Sequence, residues 1–221
     1  MDDVTIAEID KDEAVAEAMA GLEQTTRGGL LRRAGVVAGA GLAATLVPAA
    51  VAGARKSGSK SNDVRILNYA LTLEFLEAAF YREALAKGAL GGAALKFAQV
   101  VYGHEAAHVA ALQKVLGSKA VQSPRFDFKG TTGSQKTFLR TARVLEDTGV
   151  AAYQGQAPLI HQNAVLASAG AILAVEARHA AWVRDLLGAG RTPSPAPAAF
   201  SVPLSMTQVL AAVKQTGFIK A

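Results

Sequence analysis

Apolar residues recur at intervals of three and four along four stretches, about 62–86, 94–116, 134–157 and 162–187, and each predicts an amphipathic helix. No proline interrupts any of them. At about 24 residues, each helix would be about 36 Å long. The stretches Lys87 to Gly92 and Pro158 to Asn163 are turn-like, so the first two helices and the last two form tight antiparallel hairpins. Between the hairpins lies Ser118 to Gly133, with Pro124, Gly130 and Gly133, which is too long for a hairpin turn. Asn62 or Asp63 is the expected N-cap of the first helix, and Gly117 the C-cap of the second. After the proline-rich run at 193–197, Ser205 and Gln208 form a capping box for a short final helix that ends at Gly217. That helix is expected to pack through Val209, Leu210 and Val213.

The two hairpins carry the same polar pattern. Glu74 is followed after seven residues by Tyr81, then by the ExxH pair Glu105 and His108; Glu146, Tyr153, Glu176 and His179 repeat the scheme. The separation from first glutamate to ExxH glutamate is 31 residues in one copy and 30 in the other. Both midpoints fall in the hairpin turns, so each hairpin brings a carboxylate level with an ExxH whose two members share a helical face. The neighbours at helical spacing are apolar: Leu67, Leu71 and Ala78 around Glu74, Val101 and Leu112 around Glu105, Ile172 and Val183 around Glu176. Glu77 falls on the flank of its stripe.

Four carboxylates in one apolar core repel one another, and each unpaired ion costs several kcal/mol, so something must compensate them. Two divalent cations cancel four negative charges, and two neutral imidazoles complete the coordination. Tyr81 and Tyr153 read either as core aromatics or as hydroxyls that hydrogen-bond a ligand carboxylate close to the metals. Asp147 is a further neighbour of this kind, and His161 a turn residue.

This pattern resembles the ferritin-like superfamily, whose di-metal bundles take one Glu from each of two helices and an ExxH from each of the other two. Asn62 to Tyr81 (NDVRILNYALTLEFLEAAFY) and Leu145 to Gly155 (LEDTGVAAYQG) are similar to exported ferritin-like proteins related to desiccation-related proteins. The resemblance covers about 62–189. It implies an all-α fold, a ferritin-like four-helix bundle with a long crossover between helices two and three plus a short C-terminal helix. It also implies two metal ions, iron with manganese as the alternative, bridged by Glu105 and Glu176, with Glu74 and Glu146 terminal and His108 and His179 one on each. The chemistry implied is oxidoreductase, of ferroxidase or peroxidase type, with oxygen or peroxide as small-molecule substrate. The alternative is a stress-related or structural envelope protein in which metal is absent or only structural.

Composition narrows the picture. The 221 residues contain no cysteine, so any metal is held by oxygen and nitrogen. Arg27, Arg32 and Arg33 precede an uncharged run from Ala34 to Gly53, which reads as an export signal, twin-arginine-like or general secretory, directing the chain to the cell envelope or outside the cell. Residues 1–52 hold eight of the 18 acidic residues and four of the 23 basic ones, so removing them raises the net positive charge. Acidic envelope polymers fit such a surface. No aromatic and basic interleaving points to nucleic acid, and no stable membrane span is expected after signal removal. The expected divisions are an acidic segment and signal at 1–54, a flexible linker at 55–61, the bundle at 62–189 and a tail at 190–221. His104 to His108 also reads as HExxH, the zinc-hydrolase motif in which His104 and His108 bind metal and Glu105 activates water. The second copy argues against it, because Val175 stands where His104 does.

Overall fold

The structure is a computed structural model that describes residues 59–188 and 195–220. The export signal, most of the linker and the start of the proline-rich run lie outside the described residues. Four long helices dominate: α1 (Lys60–Lys87), α2 (Gly92–Leu116), α3 (Gln135–Gln156) and α4 (Asn163–Gly188). A short α5 (Met206–Thr216) follows, and two-residue strands β1 (Arg125–Phe126) and β2 (Ile219–Lys220) pair antiparallel. This is the all-α bundle expected from the sequence, with its long crossover and short C-terminal helix.

Helix ends follow local chemistry. The cap of α1 is Ser59, whose Oγ accepts from the Asn62 amide at 3.2 Å, so α1 starts inside the expected linker rather than at Asn62 or Asp63. Both of those residues are engaged elsewhere. Asn62 Nδ2 donates to Leu159 O at 3.0 Å, and the buried Asp63 carboxylate accepts from the amides of His161 and Gln162 at 2.7 and 2.9 Å. Two orphan amides just before α4 are thereby satisfied. Gly88 closes α1 in the left-handed conformation at φ 65, which a residue with a Cβ rarely adopts. The capping box of Ser205 and Gln208 forms as expected.

The same contacts fix helix directions. The start of α1 touches the α3–α4 turn, while Lys87 and Gly91 at its far end meet Thr132 and Gln135 before and within α3. The bundle therefore runs up, down, down, up. The crossover carries the chain back along its full length. Asn68 pins its start, donating to Lys119 O at 2.9 Å and accepting from Val121 N at 2.8 Å.

The core has two apolar layers. Toward the α1–α2 turn, Phe80, Tyr81, Phe97 and Phe138 stack or meet edge to face, with Phe128 from the crossover and Phe218 from the tail. Toward the α3–α4 turn the core is mostly aliphatic, with Ile66, Leu71, Leu112, Ile160 and Ile172 around Tyr153. The described helix α4 is long and apolar enough to cross a membrane by composition alone. Its buried stripe nevertheless carries Glu176 and His179 into the bundle.

The tail packs through Val209 and Val213, whereas Leu210 is 45% exposed and takes no part. Leu204 N donates to Ala151 O at 3.0 Å, which brings tail backbone against α3 at Gly155. A Cβ at Gly155 would sit 1.8 Å from Leu204 O, so only glycine permits this approach. Gly155→Ala should destabilise the chain by about 1–3 kcal/mol, the range for overpacking. Urea unfolding measures it, and limited proteolysis should show earlier cleavage near residue 204; unchanged behaviour in both would contradict the packing described.

Candidate metal centre

Between the two apolar layers lies a layer of charge. The four ligand-type glutamates, Glu74, Glu105, Glu146 and Glu176, are each 0% exposed, with His108 at 9% and His179 at 2%. Each comes from a different turn of a different helix, and the helices place them at one level because the sequence spacing is symmetric about the turns. One donor atom from each of Glu74, Glu105, His108 and Glu176 lies within 4.8 Å of the others, and the same holds for Glu105, Glu146, Glu176 and His179. Glu105 and Glu176 belong to both sets.

The side chains converge without satisfying one another. His108 Nδ1 has oxygens of Glu74, Glu105 and Glu176 at 3.2, 3.3 and 3.2 Å, three acceptors around an atom that can direct one proton. His179 Nδ1 lies 3.0 Å from Glu105 Oε1, yet off hydrogen-bond direction. Both atoms, with Glu146 Oε2 and both Glu176 oxygens, are buried and lack a directed partner. Donor atoms aimed at common points rather than at each other are what cations held between them require. Carboxylate oxygen with imidazole nitrogen suits iron, manganese or zinc.

The tyrosines brace the layer crosswise. Tyr81 on α1 donates a short hydrogen bond to Glu146 Oε1 on α3, and Tyr153 on α3 donates to Glu74 Oε1 on α1 at 2.5 Å. Each copy of the repeat thus holds the other copy's glutamate. Burial first, then the adjacent carboxylate, pushes both phenols well above their ordinary range, so they stay protonated donors.

His104 stands outside both donor sets. Its Nδ1 meets His179 Nε2 at 2.8 Å. Burial and the neighbouring imidazoles hold His104 below its usual value, which favours a neutral ring accepting from His179 Nε2–H and leaves His179 Nδ1 turned to the carboxylates. His104 therefore offers no ligand atom to the group that holds His108, which counts against the zinc-hydrolase reading of HExxH.

Two expectations change. Asp147 forms a salt bridge with Arg184 at 2.6 and 2.7 Å and does not brace the site. Glu77, expected on the flank, is 3% exposed and joins the charged layer as a fifth carboxylate. Burial, then repulsion from Glu176, Glu146, Glu105 and Glu74, raises it well above the carboxylate range. The signal was present: aligning the copies sets Glu77 opposite Gly149, whose missing side chain leaves it room.

A helical bundle with one long crossover and a core of four glutamates and two histidines is a protein of the ferritin-like class. The ferritin-like domain family matches residues 62–189, and the chain belongs to it. No curated protein matches the chain closely enough to lend it a specific activity.

With no ion bound, the two histidines supply positive charge among the carboxylates. Burial opposes their charge, but the carboxylates override it and hold His108 up at about 12 and His179 at about 10. Their stabilising contribution is full below the unfolded value near 6.5 and is lost as pH rises toward those values. Glu105, pushed up to about 7 by burial, acts in the same direction between 4.5 and 7, while Glu74, which is lowered despite burial by its bonds to His108, matters only below 4.5. The chelator-treated protein should therefore melt at its highest temperature near pH 5 and several degrees lower at pH 9. Calorimetry across that range checks this, and a melting point that climbs with pH would contradict it.

Proposed function

We propose that this chain is a di-metal carboxylate protein. Glu105 and Glu176, which belong to both donor groups, would serve two divalent ions, with Glu74 and His108 completing the ligands of one and Glu146 and His179 those of the other. What supports this is the set of buried carboxylate and imidazole atoms that lack directed partners and fall into two overlapping groups of four. Iron is the metal that family membership favours, with manganese second. Bound there, such a pair supplies electron exchange with oxygen or peroxide, and the chain's role is that of an oxidoreductase of ferroxidase or peroxidase type.

The side chains prepare the site in three ways. Tyr81 and Tyr153 fix the carboxylate planes of Glu146 and Glu74 through protons that they retain. His104 fixes the tautomer of His179, whereas Val175 leaves His108 without such an imidazole. The apolar layers on either side keep water from competing for the carboxylates. Export to the cell envelope belongs to the same proposal and is supported by residues 27–53 alone.

Elemental analysis of the purified protein tests the reading. Two ions per chain are expected, both lost in Glu105→Ala because a bridging ligand serves both. His104→Ala should keep the fold and weaken metal affinity about 10–100-fold, as loss of an outer partner does. A folded chain that takes up no metal, even when ferrous iron is supplied without oxygen, would favour a structural role instead.

A further inference from the structure

Away from the charged layer, on the outside of the bundle, a cleft of about 680 Å³ lies between α1 and the two short strands. That volume is in the range of small-molecule sites. From α1 it is lined by Ala79, Arg82, Glu83 and Ala86, whose spacing of three and four residues makes them one stripe of the helix. Arg125 of β1 and Lys220 of β2 also line it.

The charge at this cleft is one-sided. Glu83 is engaged by Lys87 at 2.8 Å and Thr132 at 2.6 Å, and Asp127, just past β1, by Lys129 at 3.0 Å. Lys220 approaches Asp127 only to 3.5 Å, and the side chains of Arg82 and Arg125 have no partner among the described residues. Three cations are thus left to share what little negative charge remains. The strand pairing sharpens this. Arg125 and Lys220 are direct cross-strand partners, so their side chains leave the ladder on the same face. Like charges set opposite each other destabilise a ladder, and this one is only two residue pairs long. An anion between them reverses that repulsion.

We propose that this cleft binds a phosphate group, carried by a small organic molecule or by a lipid headgroup. The two arginines offer planar forks that match phosphate oxygens, and the lysine adds a point charge. Three cations suit a phosphate monoester, which carries about two negative charges at neutral pH, better than they suit a single carboxylate. The volume leaves room for a body beyond the phosphate, and the partly buried Phe126 gives that body an apolar wall. This site is independent of the metal centre and of the two-ion reading.

Calorimetric titration of the full chain with phenyl phosphate, and sedimentation with phosphatidylcholine vesicles made with and without phosphatidic acid, test this. Phenyl phosphate or the phosphatidic acid vesicles should bind wild type, and Arg82→Gln and Arg125→Gln should each weaken that binding about tenfold or more, the loss expected for a charged hydrogen bond. Lys114→Gln removes the same charge from an exposed position on α2, away from the cleft, and should leave binding unchanged. Arg82 and Arg125 are exposed, and Arg125→Gln removes a cross-strand repulsion, so its melting temperature without ligand should equal or exceed that of wild type. Binding of phenyl phosphate assigns the cleft to a soluble phosphate ester; binding of phosphatidic acid vesicles alone assigns it to a lipid headgroup. If neither binds, if the arginine variants bind like wild type, or if Lys114→Gln weakens binding as much as they do, the cleft is not a phosphate site and the inference falls.

Discussion

Five carboxylates share one level of a bundle whose layers above and below are apolar. Burial of these charges, together with the mutual repulsion that it strengthens by removing screening water, is what the rest of the structure must accommodate. The helices place these groups with the accuracy of rigid rods, so the repulsion cannot be relieved by a loop moving aside. Protons on two imidazoles relieve part of it in the metal-free chain. Cations between the carboxylates would relieve all but the last negative charge.

Seen this way, features that look unrelated serve the same end. Crosswise bonds from Tyr81 and Tyr153 tie α1 to α3 at the level where the carboxylates push them apart. Asp63 fastens the α3–α4 turn to the start of α1, and the Lys87, Glu83 and Thr132 contacts fasten the opposite end. The tail then closes over α3 at Gly155 and pairs β2 with the crossover strand β1, so the segment joining the two hairpins is held at several points. Edge-to-face contacts with Phe80, Phe97 and Phe138 fill the layer beside Tyr81 and keep its hydroxyl aimed at Glu146.

The sequence made much of this legible because helical spacing and turn position are local properties. Glu74, Glu105, Glu146 and Glu176 could be set level by counting residues from each turn, and their apolar neighbours said that they face inward. What escaped were properties of pairs that sequence distance hides. Glu77 looked peripheral because its burial depends on an absence at Gly149, 72 positions away. Ser59 displaced Asn62 and Asp63 as the first cap because those side chains bind a turn about 100 residues on. Leu210 and Asp147 carried the right residue types on helices whose rotation only tertiary packing fixes.

The central claim is that these side chains surround two cations, and anomalous X-ray scattering from crystals grown with manganese shows directly whether they do. Two peaks are expected about 3.5–4 Å apart, the spacing of paired metal sites, both between Glu105 and Glu176, one beside His108 Nδ1 and one beside His179 Nδ1. Absence of density at that level, or a single ion bound on the surface while the six side chains pair only with each other, would contradict the account.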